Sequence, residues 1–151
     1  MNAPDLGDLY QETILDHNRQ PRNFGALPGA NRAAEGFNPL CGDRVTVELR
    51  MQDGVLKDVR FQGSGCAISK ASASMMTESM KGRTEAAAEA LFQQFHRLLT
   101  GEQAAPDEAA LGKLVVFSGV KEFPVRVKCA TLAWHTLRSA LENKRQVATT
   151  E

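Results

Sequence analysis

From Arg44 to Met51 the sequence alternates without a break. Val45, Val47, Leu49 and Met51 take one side of an extended chain, and Arg44, Thr46, Glu48 and Arg50 take the other. Asp53-Gly54 follows, a dipeptide suited to a tight hairpin turn. Val55 to Gln62 reads as the returning strand, with Val55, Val59 and Phe61 on one side; Lys57 breaks its alternation and marks an edge or a strand end. A two-stranded hairpin with one apolar face is at best marginally stable in water, so other elements must cover that face.

Helical patterns supply the cover. Leu6, Leu9, Tyr10, Thr13, Ile14 and His17 recur at three and four, and Pro21 forbids continuation. The stretch from Arg22 to Gly36 reads as loop, with a weakly signalled extended piece near Asn31 to Glu35. Cys66 to Met80 is small-residue and helix-compatible after Gly63-Ser64-Gly65, with Gly82 as its stop. Thr84 is a candidate N-cap for a helix to about Leu99, ended by Gly101. Ala104 to Gly112 reads as a polar connector in which Pro106 opens a short turn. Leu114 to Phe117 is a short buried run interrupted by Ser118 and Gly119. Cys129, Leu132, Ala133, Thr136, Leu137, Ala140 and Leu141 form the stripe of a last helix from about Cys129 to Lys144, with a polar frayed end after Arg145. A hairpin followed by helices gives the class α+β, a small antiparallel sheet packed by helices. At 151 residues, positions 1–151 read as a single domain.

Charge narrows the partners. Lys plus Arg and Asp plus Glu both number 18, so the formal net charge is zero. A nonspecific nucleic-acid or anionic-membrane binder needs a basic excess that this chain lacks. The longest strictly aliphatic or aromatic run is Leu114 to Phe117, far short of the about 20 residues of a membrane span. No basic region leads into an apolar stretch after Met1, so a cytoplasmic, reducing setting is expected.

The cysteines carry the chemistry. There are three, Cys41, Cys66 and Cys129, an odd set that excludes a fully paired disulfide framework. Each sits at a bend: Cys41 in Asn38-Pro39-Leu40-Cys41-Gly42-Asp43, Cys66 after Gly63-Ser64-Gly65, and Cys129 after Pro124. Cys66 and Cys129 are placed at helix N-termini, where the dipole and free N–H groups stabilise a thiolate. Arg126 and Lys128 add positive charge beside Cys129. Asp43 stands two residues beyond Cys41, on the same side of an extended chain, so it either joins the thiols or merely caps a turn. Together these residues suggest a site of three thiolates and one carboxylate. Soft thiolates favour zinc or an iron–sulfur cluster over magnesium or calcium, and an oxygen from Asp43 would be the most exchangeable ligand. The cysteines stand 25 and 63 residues apart, so no Cys-x-x-Cys knuckle is present. The histidines read as structural or surface residues: His17 closes a helix where its positive form suits the dipole, His96 lies on a helix surface, and His135 is off the Cys129 face.

Three motifs in order resemble the NifU/IscU/SufU family of iron–sulfur cluster assembly proteins. They are Asn38-Pro39-Leu40-Cys41-Gly42-Asp43, the run from Gly63 through Cys66 to Met76, and the run from Pro124 through Cys129 to Trp134. Tyr10 to His17 followed by Pro21-Arg22-Asn23-Phe24-Gly25 adds a fourth, so the resemblance covers nearly the whole chain. It implies a SufE/NifU-like α+β fold. It is most similar to the SufU branch, because the scaffold branch has a histidine immediately before the third cysteine where this chain has Lys128, and because the segment between the second and third cysteines is longer. The resemblance to SufU implies zinc on Cys41, Asp43, Cys66 and Cys129, sulfur accepted by Cys41 from a SufS-type cysteine desulfurase, and iron–sulfur assembly or sulfur-acceptor proteins downstream. The alternatives are a scaffold for a transient [2Fe–2S] cluster on the same residues, a purely structural zinc domain, and a cysteine hydrolase. The last lacks a histidine with any reason in the sequence to meet a thiol.

Overall fold

The computed structural model describes residues 12–101, 106–142 and 148–149. The sheet contains β1 (Arg32–Asn38), β2 (Asp43–Gln52), β3 (Val55–Ser64) and β4 (Ala148–Thr149), in the order β3-β2-β1-β4. The first three pair antiparallel, as the alternating pattern predicts, while the two-residue β4 runs parallel to β1 where a frayed tail was expected. β1 is longer and further on than the expected piece near Asn31 to Glu35. Its pattern was masked because its inward positions are Ala34, Gly36 and Asn38, none of them strongly apolar.

Lys57 has a physical explanation. Arg50 pairs with Asp58 and Met51 with Leu56, so Lys57 is the extra residue of a bulge. The bulge changes which side faces in: Leu56 is fully buried and Val55 only half-buried, contrary to the simple alternation.

The helices are α1 (Glu12–Arg19), α2 (Ala67–Met80), α3 (Glu85–Thr100), α4 (Glu108–Leu111) and α5 (Pro124–Leu141). Leu6, Leu9 and Tyr10 of the expected first helix lie outside the described residues, as does Lys144 of the last. Thr84 caps α3 by accepting the Ala87 N–H at 3.1 Å, and Gly101 ends it in the left-handed region at φ 67°. The run around Leu114 is part of a 3₁₀ segment, Gly112–Glu122, whose period of three buries Leu114, Phe117 and Val120. α5 begins five residues before the expected start. Pro124 occupies its first turn, where the missing N–H costs nothing.

α5 lies across β1 and β2 and against α2, and this contact organises the core. Gly36 permits it: a Cβ there would collide with Thr136 Oγ1 and approach Leu132 Cδ1 to 3.1 Å. Trp134, fully buried, stacks on Phe95 with ring centroids 4.1 Å apart. Its indole N–H donates to Ser72 Oγ at 3.0 Å, and Ser72 donates to the Ala130 carbonyl at 2.5 Å, so α2 and α5 are locked by a satisfied polar pair inside an apolar core.

His17 is not the charged helix-end residue that its position suggested. It is 5% exposed, with Nδ1 2.7 Å from Ser74 Oγ and Nε2 3.5 Å from Glu78 Oε1. The Glu78 carboxylate can only accept, so the neutral ring keeps its proton on Nε2 facing it, and Nδ1 accepts from Ser74 Oγ, which itself accepts the Arg22 N–H at 2.8 Å. Burial, helped by the Arg22 charge, holds the His17 pKa below its ordinary 6.5 against the pull of Glu78. His135 is lowered too, chiefly by burial, and His96 is half-buried beside it, with ring centroids 6.1 Å apart.

Two outcomes follow from this packing. Gly36→Ala is expected to lower unfolding stability by about 1–3 kcal/mol, read from denaturant melts, because α5 must back away from the sheet. The folded chain releases protons from His17 and His135 that the unfolded chain still holds. Stability should therefore be full above pH 6.5 and fall as the pH drops through the lowered folded values. His17→Gln should flatten part of that fall in melting temperature measured against pH.

Candidate metal centre

β1 and β2 join at a short turn whose closing pair is Asn38 opposite Asp43. Both side chains are fully buried, ending the inward stripe of the sheet in polar groups. The turn Pro39 to Gly42 holds Cys41 at its tip. It is fastened by the Gly42 N–H donating to the Asn38 carbonyl at 2.8 Å, and Gly42 takes the positive φ of 72° that such a turn needs. Cys41 is half-buried, and its neighbour Leu40 is 60% exposed. Cys129 comes from the second turn of α5 and is fully buried. Its sulfur donates to Cys41 Sγ at 3.3 Å.

One ligand atom from each of Cys41, Asp43 and Cys129 lies within 4.8 Å of the others. Residues 88 apart in sequence therefore meet at one point. Two thiols and a carboxylate at this spacing fit a zinc ion, whose bonds of about 2.3 Å to sulfur and 2.0–2.2 Å to oxygen would join them. The Cys66 sulfur stands outside this mutual set. It caps α2, accepting the Ser69 N–H at 3.4 Å, and the Cys66 backbone N–H donates to Asp43 Oδ1 at 3.1 Å. Gly65 leaves room for that grip, since a Cβ there would stand 2.6 Å from Asp43 Oδ1.

The thiols are electrostatically distinct. Hydrogen bonding with Cys129 and donation from the Ser69 N–H hold the Cys66 thiol down at about 6, against its burial. The same contact with Cys66, together with burial, pushes the Cys129 thiol up. The expectation that Cys129 sits at a helix N-terminus is thus corrected: Pro124 starts the helix earlier and carries Cys129 past the free N–H groups. Arg126 and Lys128 stand three and one residues before Cys129 on the same helix, both half-buried. The histidines lie elsewhere, His17 against α2 and His96 with His135 around Phe92. Asn38, the first residue of the Cys41 motif, also belongs to the site, opposite Asp43. An uncharged side chain carries no sign of chemistry, and only the cross-strand pairing places it.

Residues 9–130 match the family model described as the NifU-like N-terminal domain. The chain belongs to this family. Among its relatives, the NifU-like chain is 37% identical over 137 residues to a Bacillus subtilis protein named zinc-dependent sulfurtransferase SufU, covering 91% of this chain and 92% of that one. It is 40% identical over 134 residues to a Thermotoga maritima protein named iron–sulfur cluster assembly scaffold protein IscU, covering 89% and 93%. A SufU crystal structure from Fervidobacterium islandicum AW-1 superposes with a TM-score of 0.85 at 36% identity, covering 91% of this chain and 99% of that one. The N-terminal part of a NifU-like protein from Brucella abortus gives 0.79 at 25% identity. The α+β fold expected from the resemblance is therefore the fold of the family.

Gly65→Ala is expected to push the Asp43 carboxylate out of place and cut the metal retained after dialysis, measured as metal per chain. Its far-ultraviolet circular dichroism should stay that of the parent.

Proposed function

We propose that this NifU-like chain is an iron–sulfur cluster assembly protein working as a zinc-dependent sulfur acceptor for a SufS-type cysteine desulfurase. The observation that carries the reading is the convergence of Cys41, Asp43 and Cys129 with only Cys41 on an exposed turn. Cys41, Asp43, Cys66 and Cys129 are the ligands proposed. Cys66 would join by turning its sulfur from the α2 cap toward Cys129, with which it already interacts. Bound zinc would keep the thiols deprotonated and shielded from oxidation. The B. subtilis relative's name and Lys128 in place of a histidine both support zinc over a cluster.

The residues divide the work by their mobility. Cys129 is held inside α5, and Cys66 is tied to α2. Cys41 sits between turn residues and can swing outward without breaking a helix or strand. Its thiolate attacks the terminal sulfur of the donor's persulfide. A new S–S bond forms at Cys41 Sγ, the donor's S–S bond breaks, and the donor cysteine leaves as a thiolate. Arg126 and Lys128, three and one residues before Cys129, supply positive charge in the first turns of α5. Leu40 and Val125, 60% and 49% exposed, offer apolar surface for the partner beside them. No helix among the described residues is long and apolar enough to cross a membrane.

Cys41→Ala should abolish transfer of ³⁵S from a cysteine desulfurase while leaving the fold intact. Undiminished labelling of that variant would overturn the assignment of Cys41. Metal analysis of anaerobically purified protein should give one zinc per chain. Iron with acid-labile sulfide would turn the reading to the scaffold role named for the T. maritima relative.

A further inference from the structure

We propose that Asn38 is the positioning residue of this site, setting Asp43 and Cys129 for metal and making Cys129 the holding sulfur; the proposal rests on reading those two side chains as ligands. Asn38 is fully buried at the end of β1 and touches three separate parts of the site. Its Oδ1 accepts the Leu40 N–H at 3.2 Å, which shapes the turn that carries Cys41. Its Nδ2 lies 3.3 Å from Asp43 Oδ2 and 3.6 Å from Cys129 Sγ. The orientation of the amide is fixed by chemistry. Leu40 presents a donor, so the atom facing it must be the oxygen, and the two hydrogens on nitrogen then face the carboxylate and the sulfur.

This arrangement leaves Asp43 little freedom. One carboxylate oxygen accepts from Asn38 and the other from the Cys66 N–H, so its remaining lone pairs have fixed directions. Groups that orient a ligand in this way commonly change metal affinity by about 10–100-fold when removed. Donation to the Cys129 sulfur has a second effect. It draws charge from that sulfur and lowers its nucleophilicity, so Cys129 is the less reactive sulfur, held in place by the α5 backbone, and Cys41 is left to react. The three tasks need an acceptor and two donor hydrogens on one short side chain. Aspartate keeps the acceptor for Leu40 but sets a second carboxylate against Asp43 across the strand pair. Serine and alanine are too short to span the turn, the carboxylate and the sulfur.

The test compares the full-length parent with Asn38→Ala and Asn38→Asp. Zinc affinity is measured by chelator competition, and the cobalt(II)-loaded proteins are examined for the sulfur-to-cobalt charge-transfer band. Both variants should bind zinc about 10–100-fold more weakly. Their charge-transfer band should move to lower energy, because a sulfur without the N–H donor gives up charge more readily. A general loss of packing would lower the melting temperature without moving that band. Unchanged affinity together with an unmoved band would overturn the role of Asn38 and leave the metal site standing. Failure of the parent itself to bind zinc or cobalt would overturn both. A measurement on the parent alone guards against variants that do not fold. With ¹¹³Cd bound, a side-chain amide proton of Asn38 should show scalar coupling to the metal through Cys129 Sγ. An uncoupled amide whose shift does not change on loading would overturn the proposal.

Discussion

The close seating of α5 on β1 is the contact on which the rest of the molecule depends. It requires a residue without a side chain at Gly36, directly beneath Thr136 and Leu132. Once the helix is down, Cys129 is carried to the end of the sheet where Asn38 and Asp43 close the β1–β2 turn. The same helix delivers Trp134 to Phe95 and Ser72, so the apolar core and the polar site are two ends of one interface. A helix held a few tenths of an ångström further out would weaken both at once, because packed interiors do not deform smoothly.

Much of this was legible because local chemistry and final environment agree. The strict alternation of β2, the Thr84 cap and the Gly101 stop are decided within a few residues, and the structure keeps each of them. The start of α5 was not legible from its apolar stripe. Val125 is exposed and Val127 half-buried, so the first turn lacks the inward pattern that marks the remainder. β1 was faint for a similar reason: a strand that must admit a helix carries glycine and alanine rather than valine and isoleucine. At the site, the cysteines announced themselves by type, whereas the spacing of Asp43 left it either beside the thiols or capping a turn. That Cys66 meets Cys129 but stays outside the set formed by Cys41, Asp43 and Cys129 depends on where one sulfur points, which no spacing encodes.

The structure also sets chemically identical thiols in different surroundings. Cys129 has a rigid helix, full burial and a raised pKa. Cys66 has a helix N-terminus and a lowered one. Cys41 lies on the turn between β1 and β2 and is half-buried. Differences in backbone setting, rather than in side-chain chemistry, distinguish the two helical sulfurs from the one on the turn.

The chain has a single tryptophan. Trp134 lies five residues beyond Cys129 on α5, fully buried, stacked on one aromatic ring and hydrogen-bonded to α2. Its fluorescence therefore comes from one place, the seam that seats the buried thiol. Blue-shifted emission reports a docked α5, and a shift to the red reports a helix that has lifted. The protein thus carries a built-in optical gauge of whether its cysteine cluster is assembled, readable without a label and without touching any residue of that cluster.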